Sequence, residues 1–356
     1  MEAAAVPEPI DWSLVTSVAL RLLPAGPRVT AAEARATVAQ LRACAAAAEE
    51  HVSRFTSMVA PAAAGPLLVV DRPGWVRANV SGLRAVTRPL LDGLVGLAGA
   101  PNPFPRVAAV LTSTQIAGAL AFLGSRVLGQ YEIFAPADDG RSRPGRLLLV
   151  APNIVRTERD LGVDPADFRL WVCLHEETHR VQFTAVRWLR DHLENELRTL
   201  LGHTQTDLPA LLGRAREAAG SLAGGGPTPS LLELVQSPAQ RTVLARITAV
   251  MSLLEGHAEY VMDGVGPAVV PSVGLIRERF ARRRQARGRL DALLRQLLGV
   301  EAKLQQYARG ERFVREVVDR VGMAGFNRVW TSPNTLPALA EIAEPDRWVE
   351  RMHRVG

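Results

Sequence analysis

The chain has 356 residues, 47% hydrophobic and 22% charged, with a net charge of +6. That balance excludes a disordered polypeptide and predicts a soluble globular fold with enough apolar side chains for one large core or two smaller ones. Its two cysteines, Cys44 and Cys173, exclude a disulfide scaffold and point to a reducing, cytoplasmic setting. Lys303 is the one lysine, so the basic charge is carried by arginine as in GC-rich coding, and it is judged by clustering.

The opening MEAAAVPEPIDW carries acids and prolines where a signal peptide has basic and then apolar residues, so export by that route is not expected. Thr30, with Glu33 three residues on, forms a capping box and opens a helix over 29–57. Pro61 to Pro66 end the pattern, and DRPGW (Asp71–Trp75) reads as a turn because Pro-Gly joins a fixed φ to a permissive one. A helical stretch follows to about Leu97, then the rigid connector PNPFP (Pro101–Pro105). Residues 107–128 predict a buried helix, which Thr112, Ser113, Thr114 and Gln115 keep short of the roughly 20 unbroken apolar residues of a membrane span.

Gln130–Ala135 and Arg146–Ala151 read as hairpin strands around the polar loop PADDGRSRPG. Nearly everything beyond is helical. Asp164-Pro165-Ala166-Asp167 supplies a cap, a first-turn proline and a first-turn acid, opening a helix that runs to about Leu201. Gly220–Ser230 is a linker, and Ser237-Pro238-Ala239-Gln240 is a capping box for a second long helix, to Met262. After Pro271, Arg277, Arg279, Arg282, Arg283, Arg284, Arg287 and Arg289 crowd one helix. Such a stripe could bind nucleic acid or anionic lipid, but with no nucleic-acid-binding motif beside it, it reads as a solvated face. The fold class is therefore mainly α, in the α+β sense, with a small hairpin or short sheet.

The first long helix contains His175-Glu176-Glu177-Thr178-His179, an HExxH. Residues four apart share a helical face, so both imidazoles reach one ion, while Glu176, turned roughly 100° from His175, addresses a water beside it. Phe168, Trp171, Val172 and Val186 flank the histidines and place the site inside the protein. Two histidines need a further ligand and an open position for catalysis. Glu255 and Glu259 share a face of the second long helix, and either can ligate while the other holds a histidine N–H. Zinc suits two imidazoles and a carboxylate, and iron(II) uses the same set.

EGHAEY (Glu255–Tyr260) is similar to the E-G-F-A-x-Y segment of gluzincins, HExxH metallopeptidases whose third ligand is a glutamate on a downstream helix. That resemblance implies Glu255 as the ligand and Glu259 as the supporting acid. The 76 residues from His179 to Glu255 exceed the spacing of most gluzincins and keep Glu259 as an alternative. DRPGWVRAN, LGQYEIF, HEETHRVQF, LEGHAEYVMD and FNRVWTSPNTLP further resemble a zincin-like family of high-GC bacteria, labelled metallopeptidases, hydrolases or proteins associated with coenzyme F-420 biosynthesis. The last label implies no chemistry.

The resemblance implies an N-terminal helical region over 1–128, a zincin-like catalytic core over 129–270 and a C-terminal helical region over 271–356 packed on the core. It implies a zinc hydrolase, a metallopeptidase acting on a peptide or protein, with Glu176 as general base. The alternative is a zincin-fold binding or scaffolding protein with little turnover. RLLLVAPN (Arg146–Asn153) is the strand expected to pair with an extended substrate, or else an ordinary core strand. Tyr260 is the leading proton donor, with Tyr131, Tyr307 and His257 as alternatives, although His257 fits a core or supporting place better.

Overall fold

In the computed structural model, the residues described are 10–61, 64–95, 104–134, 145–202, 238–285 and 300–355. The fold is mainly helical around a small mixed sheet. Helices α1 (Trp12–Leu22) and α2 (Ala31–Thr56) come first, and the Thr30–Glu33 capping box is formed as expected. Strand β1 (Leu67–Val70) precedes α3 (Arg72–Val95) and α4 (Phe104–Gly124). Strands β2 (Gly129–Glu132) and β3 (Arg146–Val150) pair antiparallel, Gly129 opposite Leu149 and Glu132 opposite Arg146. The expected hairpin strands therefore pair. Its loop lies mostly outside the described residues, as do the Gly220–Ser230 linker, Ser237 and most of the 101–105 connector.

β1 was not expected from the sequence. It lies parallel to β3, Leu67 opposite Leu147, so the sheet order is β1-β3-β2. Leu147 to Val150 are wholly buried, the pattern of a strand covered on both faces. Alternation divides them between two cores. Leu148 and Val150 join Trp12, Val15, Trp75, Val76 and Leu120 of α1, α3 and α4 on one face. Leu149 joins the larger cluster on the other, built on Leu41, Phe168, Val172, Leu253 and Phe313.

DRPGW is not a turn. Asp71 caps α3 by accepting the Gly74 N–H at 2.7 Å, and Pro73 sits in the first turn, where a missing N–H costs nothing. Buried Arg72 donates to Asn153 Oδ1 at 2.7 Å and to the carbonyls of Pro24 and Ala25. Asn153 donates in turn to the carbonyls of Gly124 and Val127, so this pair ties four connections of the N-terminal half together.

β3 leads into α5 (Ala151–Leu161), closed by Gly162 at φ 61°, and then α6 (Pro165–Ala185), capped by Asp164. The long helix expected from 165 to 201 is two. Val186 leaves helical geometry at φ −97° and ψ 85°, and α7 (Arg187–Gly202) sets off anew. Next come α8 (Pro238–Gly264), α9 (Val273–Gln285), α10 (Val300–Phe326), α11 (Leu339–Ala343) and α12 (Pro345–Val355). α8 packs on α6 and crosses α10 backbone to backbone. A Cβ on Gly256 would lie 2.1 Å from the Gly310 carbonyl carbon, and one on Gly310 would lie 1.9 Å from the Ser252 oxygen. Only glycine at both positions permits that approach.

Candidate metal centre

The HExxH lies in the third and fourth turns of α6, stiffened by the Asp164 cap at one end and the buried Phe168, Trp171 and Val172 on its core face. His175 and His179 stand with ring planes at 90° and centroids 4.8 Å apart, and their Nε2 atoms are 3.3 Å from each other. α8 brings Glu255 Oε2 to 3.6 Å from His175 Nε2 and 3.8 Å from His179 Nε2. Among the described residues these three make the group of His, Cys, Asp or Glu side chains able to share a metal ion, with ligand atoms all within 4.8 Å of one another. Glu259, one turn further along α8, is outside that group.

A tetrahedral zinc with ligands at about 2.0–2.1 Å holds neighbouring donor atoms about 3.4 Å apart. The observed spacings fit that requirement. Charge fits too. Burial alone would lower His175, yet the hydrogen-bonding Glu255 carboxylate, with Glu176 and Glu259, raises it to about 9. Burial lowers His179, and Glu255 opposes it. Three carboxylates around two imidazoles form a concentration of negative charge that a divalent cation neutralises. The group is partly buried, so solvent reaches it.

Glu176 is buried, and burial, reinforced by Glu255 and opposed by His175, pushes it up to about 7. Its side chain lies against the backbone of β2: a Cβ on Gly129 would be 2.5 Å from Glu176 Cγ and 2.6 Å from Cδ. Within the described sheet β2 is an edge strand and β3 the central one. The backbone groups of β3 are taken on both sides, so the peptide-pairing role expected of Arg146–Asn153 does not fit. RLLLV is the core strand.

Two residues escaped the sequence reading. Gly129 was one, since only tertiary approach gives it meaning. The other is Gln182, wholly buried, whose Oε1 is 2.9 Å from His179 Nδ1 and whose Nε2 donates to the Leu254 carbonyl and to His257 Nδ1, each at 3.0 Å. A signal existed: Gln182 is seven residues from His175 and three from His179, on the same helical face. His257 takes the supporting place expected of it, buried between Phe326 and Trp330 and pushed down to about 3 by burial and by His179.

Tyr260 packs 5.8 Å from Phe55 with the Arg315 guanidinium 5.5 Å from its ring centroid, and burial followed by Asp319 raises its hydroxyl. Tyr131 stacks on Phe183 at 6.0 Å. The side chain of Tyr307 is outside those described. In the arginine-rich α9, Arg279 donates to the Leu161 and Gly162 carbonyls, Arg283 pairs with Asp160, Arg277 with Asp263 and Arg282 with Glu278. Arg279, Arg283 and Arg277 thus tie α9 to neighbouring elements, while Arg282 pairs within α9 on its exposed face; Arg284's side chain, Arg287 and Arg289 lie outside the described residues.

An HExxH helix beside a small mixed sheet, with a glutamate from a second helix closing the donor set, defines a zincin-like protein. The chain belongs to the zincin-like metallopeptidase family, which it matches over residues 10–349. It is also similar to a solved structure from Chloroflexus aurantiacus, described as "a putative hydrolase with a novel fold". The TM-score is 0.70 at 31% sequence identity, over 98% of this chain and 100% of that one. No curated protein matched. Among the described residues no helix is long and apolar enough to cross a membrane.

Proposed function

We propose that the protein is a zinc-dependent peptidase of the reducing cytoplasm, in which His175, His179 and Glu255 hold the metal and Glu176 is the general base. The observation that carries the reading is the convergence of the two Nε2 atoms and Glu255 Oε2 within 3.3–3.8 Å, beside a buried glutamate that is not one of the three. Zinc bound there supplies Lewis acidity, which polarises a carbonyl and brings the pKa of a water towards about 7.

Glu176, buried and not one of the three donors, is the group proposed to take a proton from that water. It accepts the water's proton as the water attacks the scissile carbonyl, then returns the proton to the departing nitrogen. The edge of β2 offers an extended peptide main-chain partners next to Glu176. Glu259 contributes negative charge beside His175 and is the second acid of α8. Tyr260 is the candidate proton donor by its place in EGHAEY, and Tyr260→Phe measures that role directly.

The test is zinc content and hydrolysis of a peptide library, read in parallel for wild type, Glu176→Gln, His179→Ala and Glu255→Gln. Glu176→Gln should keep stoichiometric zinc and lose on the order of 10²–10⁴ in rate. His179→Ala and Glu255→Gln should lose zinc. Zinc bound without turnover by the wild type would favour the scaffolding alternative, and copurified iron would overturn the choice of metal. A Glu176→Gln protein with full activity would remove Glu176 from the mechanism.

A further inference from the structure

We infer that Gln182 is a positioning residue of the metal centre, fixing the tautomer and ring orientation of His179 and locking that ligand to the helix that carries Glu255. The inference rests on the metal-centre reading above.

His179 turns Nε2 towards His175 and Glu255, which leaves Nδ1 to carry the ring proton. That proton is donated to Gln182 Oε1, 2.9 Å away. The amide's orientation is not free. Its NH₂ has two donors, and both are engaged, one by the Leu254 carbonyl and one by His257 Nδ1, each at 3.0 Å. A backbone carbonyl can only accept. Turning the amide over would set its oxygen against that carbonyl and its NH₂ against the His179 N–H, so the chain itself dictates which end faces the ligand.

The partners are rigid. The Leu254 carbonyl is a backbone group of α8 one residue before Glu255, and the His257 ring is stacked on Phe326 at 5.3 Å and tilted against Trp330 at 5.4 Å. One wholly buried side chain therefore joins a ligand on α6 to the backbone next to a ligand on α8. A residue needed only to fill space would not require this donor and acceptor pattern; Met has similar volume and satisfies packing without it.

The experiment compares wild type, Gln182→Met and Gln182→Glu. Zinc affinity is measured by competition with a chromophoric chelator, the visible spectrum after cobalt(II) substitution reports ligand geometry, and the Tm of metal-free protein reports the fold. Gln182→Met should bind zinc about 10–100-fold more weakly, with a shifted cobalt spectrum. Gln182→Glu keeps an acceptor for the His179 N–H, so it should regain most of the affinity and the wild-type spectrum while showing a lower Tm, having lost both donors.

A Gln182→Met protein with wild-type affinity and spectrum would reduce Gln182 to core packing. A Glu variant as weak as Met would deny the acceptor role. Should Gln182→Met fail to fold, Gln182→Asn retains the amide but is one methylene too short. Its affinity should drop by roughly tenfold or more, and an unchanged affinity overturns the inference. Wild type that binds no zinc defeats the metal-centre reading and this one with it; wild type that binds while Met equals it defeats this one alone.

Discussion

Gly129→Ala separates the proposed chemistry from the metal site with the smallest possible change. The added Cβ would lie 2.5 Å from Glu176 Cγ, 2.6 Å from Cδ and 2.8 Å from Oε1. Carbon atoms settle at about 3.5–4.0 Å, so something must move by about 1 Å. Gly129 does not occupy the positive-φ region, so alanine is allowed by the backbone. The strand is pinned to β3 through its register and through the Val150 N–H on the Leu128 carbonyl at 2.8 Å. The flexible carboxyl end of Glu176 is therefore what yields. A displacement of about 1 Å in a reacting group costs roughly 10²-fold in rate, inside the 10²–10⁴ range for losing the base outright. The three atoms nearest the new methyl group all belong to Glu176 and none to a proposed ligand, so zinc content should stay at the wild-type level. The assay is metal analysis alongside kcat on a peptide identified from the library. Undiminished kcat would refute the assignment of Glu176 to that position, and lost zinc would show that β2 holds the ligands rather than the base.

Two further outcomes concern the frame around the site. Gly310→Ala forces a methyl group to 1.9 Å from the Ser252 carbonyl oxygen, so α8 and α10 must part; overpacking of this kind costs about 1–3 kcal/mol, visible as a lower Tm, and an unchanged Tm would contradict the backbone contact. Asp263 is raised from 3.8 to about 6, first by burial, with Arg277 opposing. The folded state thus holds this proton more tightly than the unfolded one, a stabilisation that is full below about 3.8 and lost as pH rises through about 6. Wild type should accordingly lose more Tm between pH 5 and 7.5 than Asp263→Asn does, and parallel curves for the two proteins would refute the shift.

Features legible in the sequence were those whose partners are close along the chain. The Thr30–Glu33 box, the Asp164 cap, the four-residue spacing of His175 and His179 and the antiparallel β2–β3 pair all depend on local geometry. β1 was not legible, because LLVV is only four residues and its partner, Leu147–Val150, lies some eighty residues on. DRPGW misled because Pro-Gly signals a turn, whereas Asp71 uses the Gly74 N–H to begin a helix. The break at Val186 has neither proline nor glycine to announce it. Glu255 and Glu259 share a face, so periodicity could not rank them; only the placement of α8 against α6 sets Glu255 beside both imidazoles.

That placement has a common physical cause at both carboxylates. Glu176 lies against a strand that comes close because residue 129 has no side chain, and Glu255 precedes the Gly256–Gly310 crossing, where two helices touch through bare backbone. Backbone contact is stiffer than contact between rotamer-rich side chains, so each carboxylate inherits the position of a whole element. The two contacts act on different functions. The one at Gly129 bears on the proposed base and leaves the ligands alone, whereas the one at Gly310 bears on the helix that presents a ligand. Gly129→Ala should therefore lower rate at constant zinc affinity, and Gly310→Ala should lower zinc affinity together with stability. Had the site been set by side-chain packing alone, conservative changes in the core would shift both properties at once. Measuring both in both variants distinguishes the two architectures.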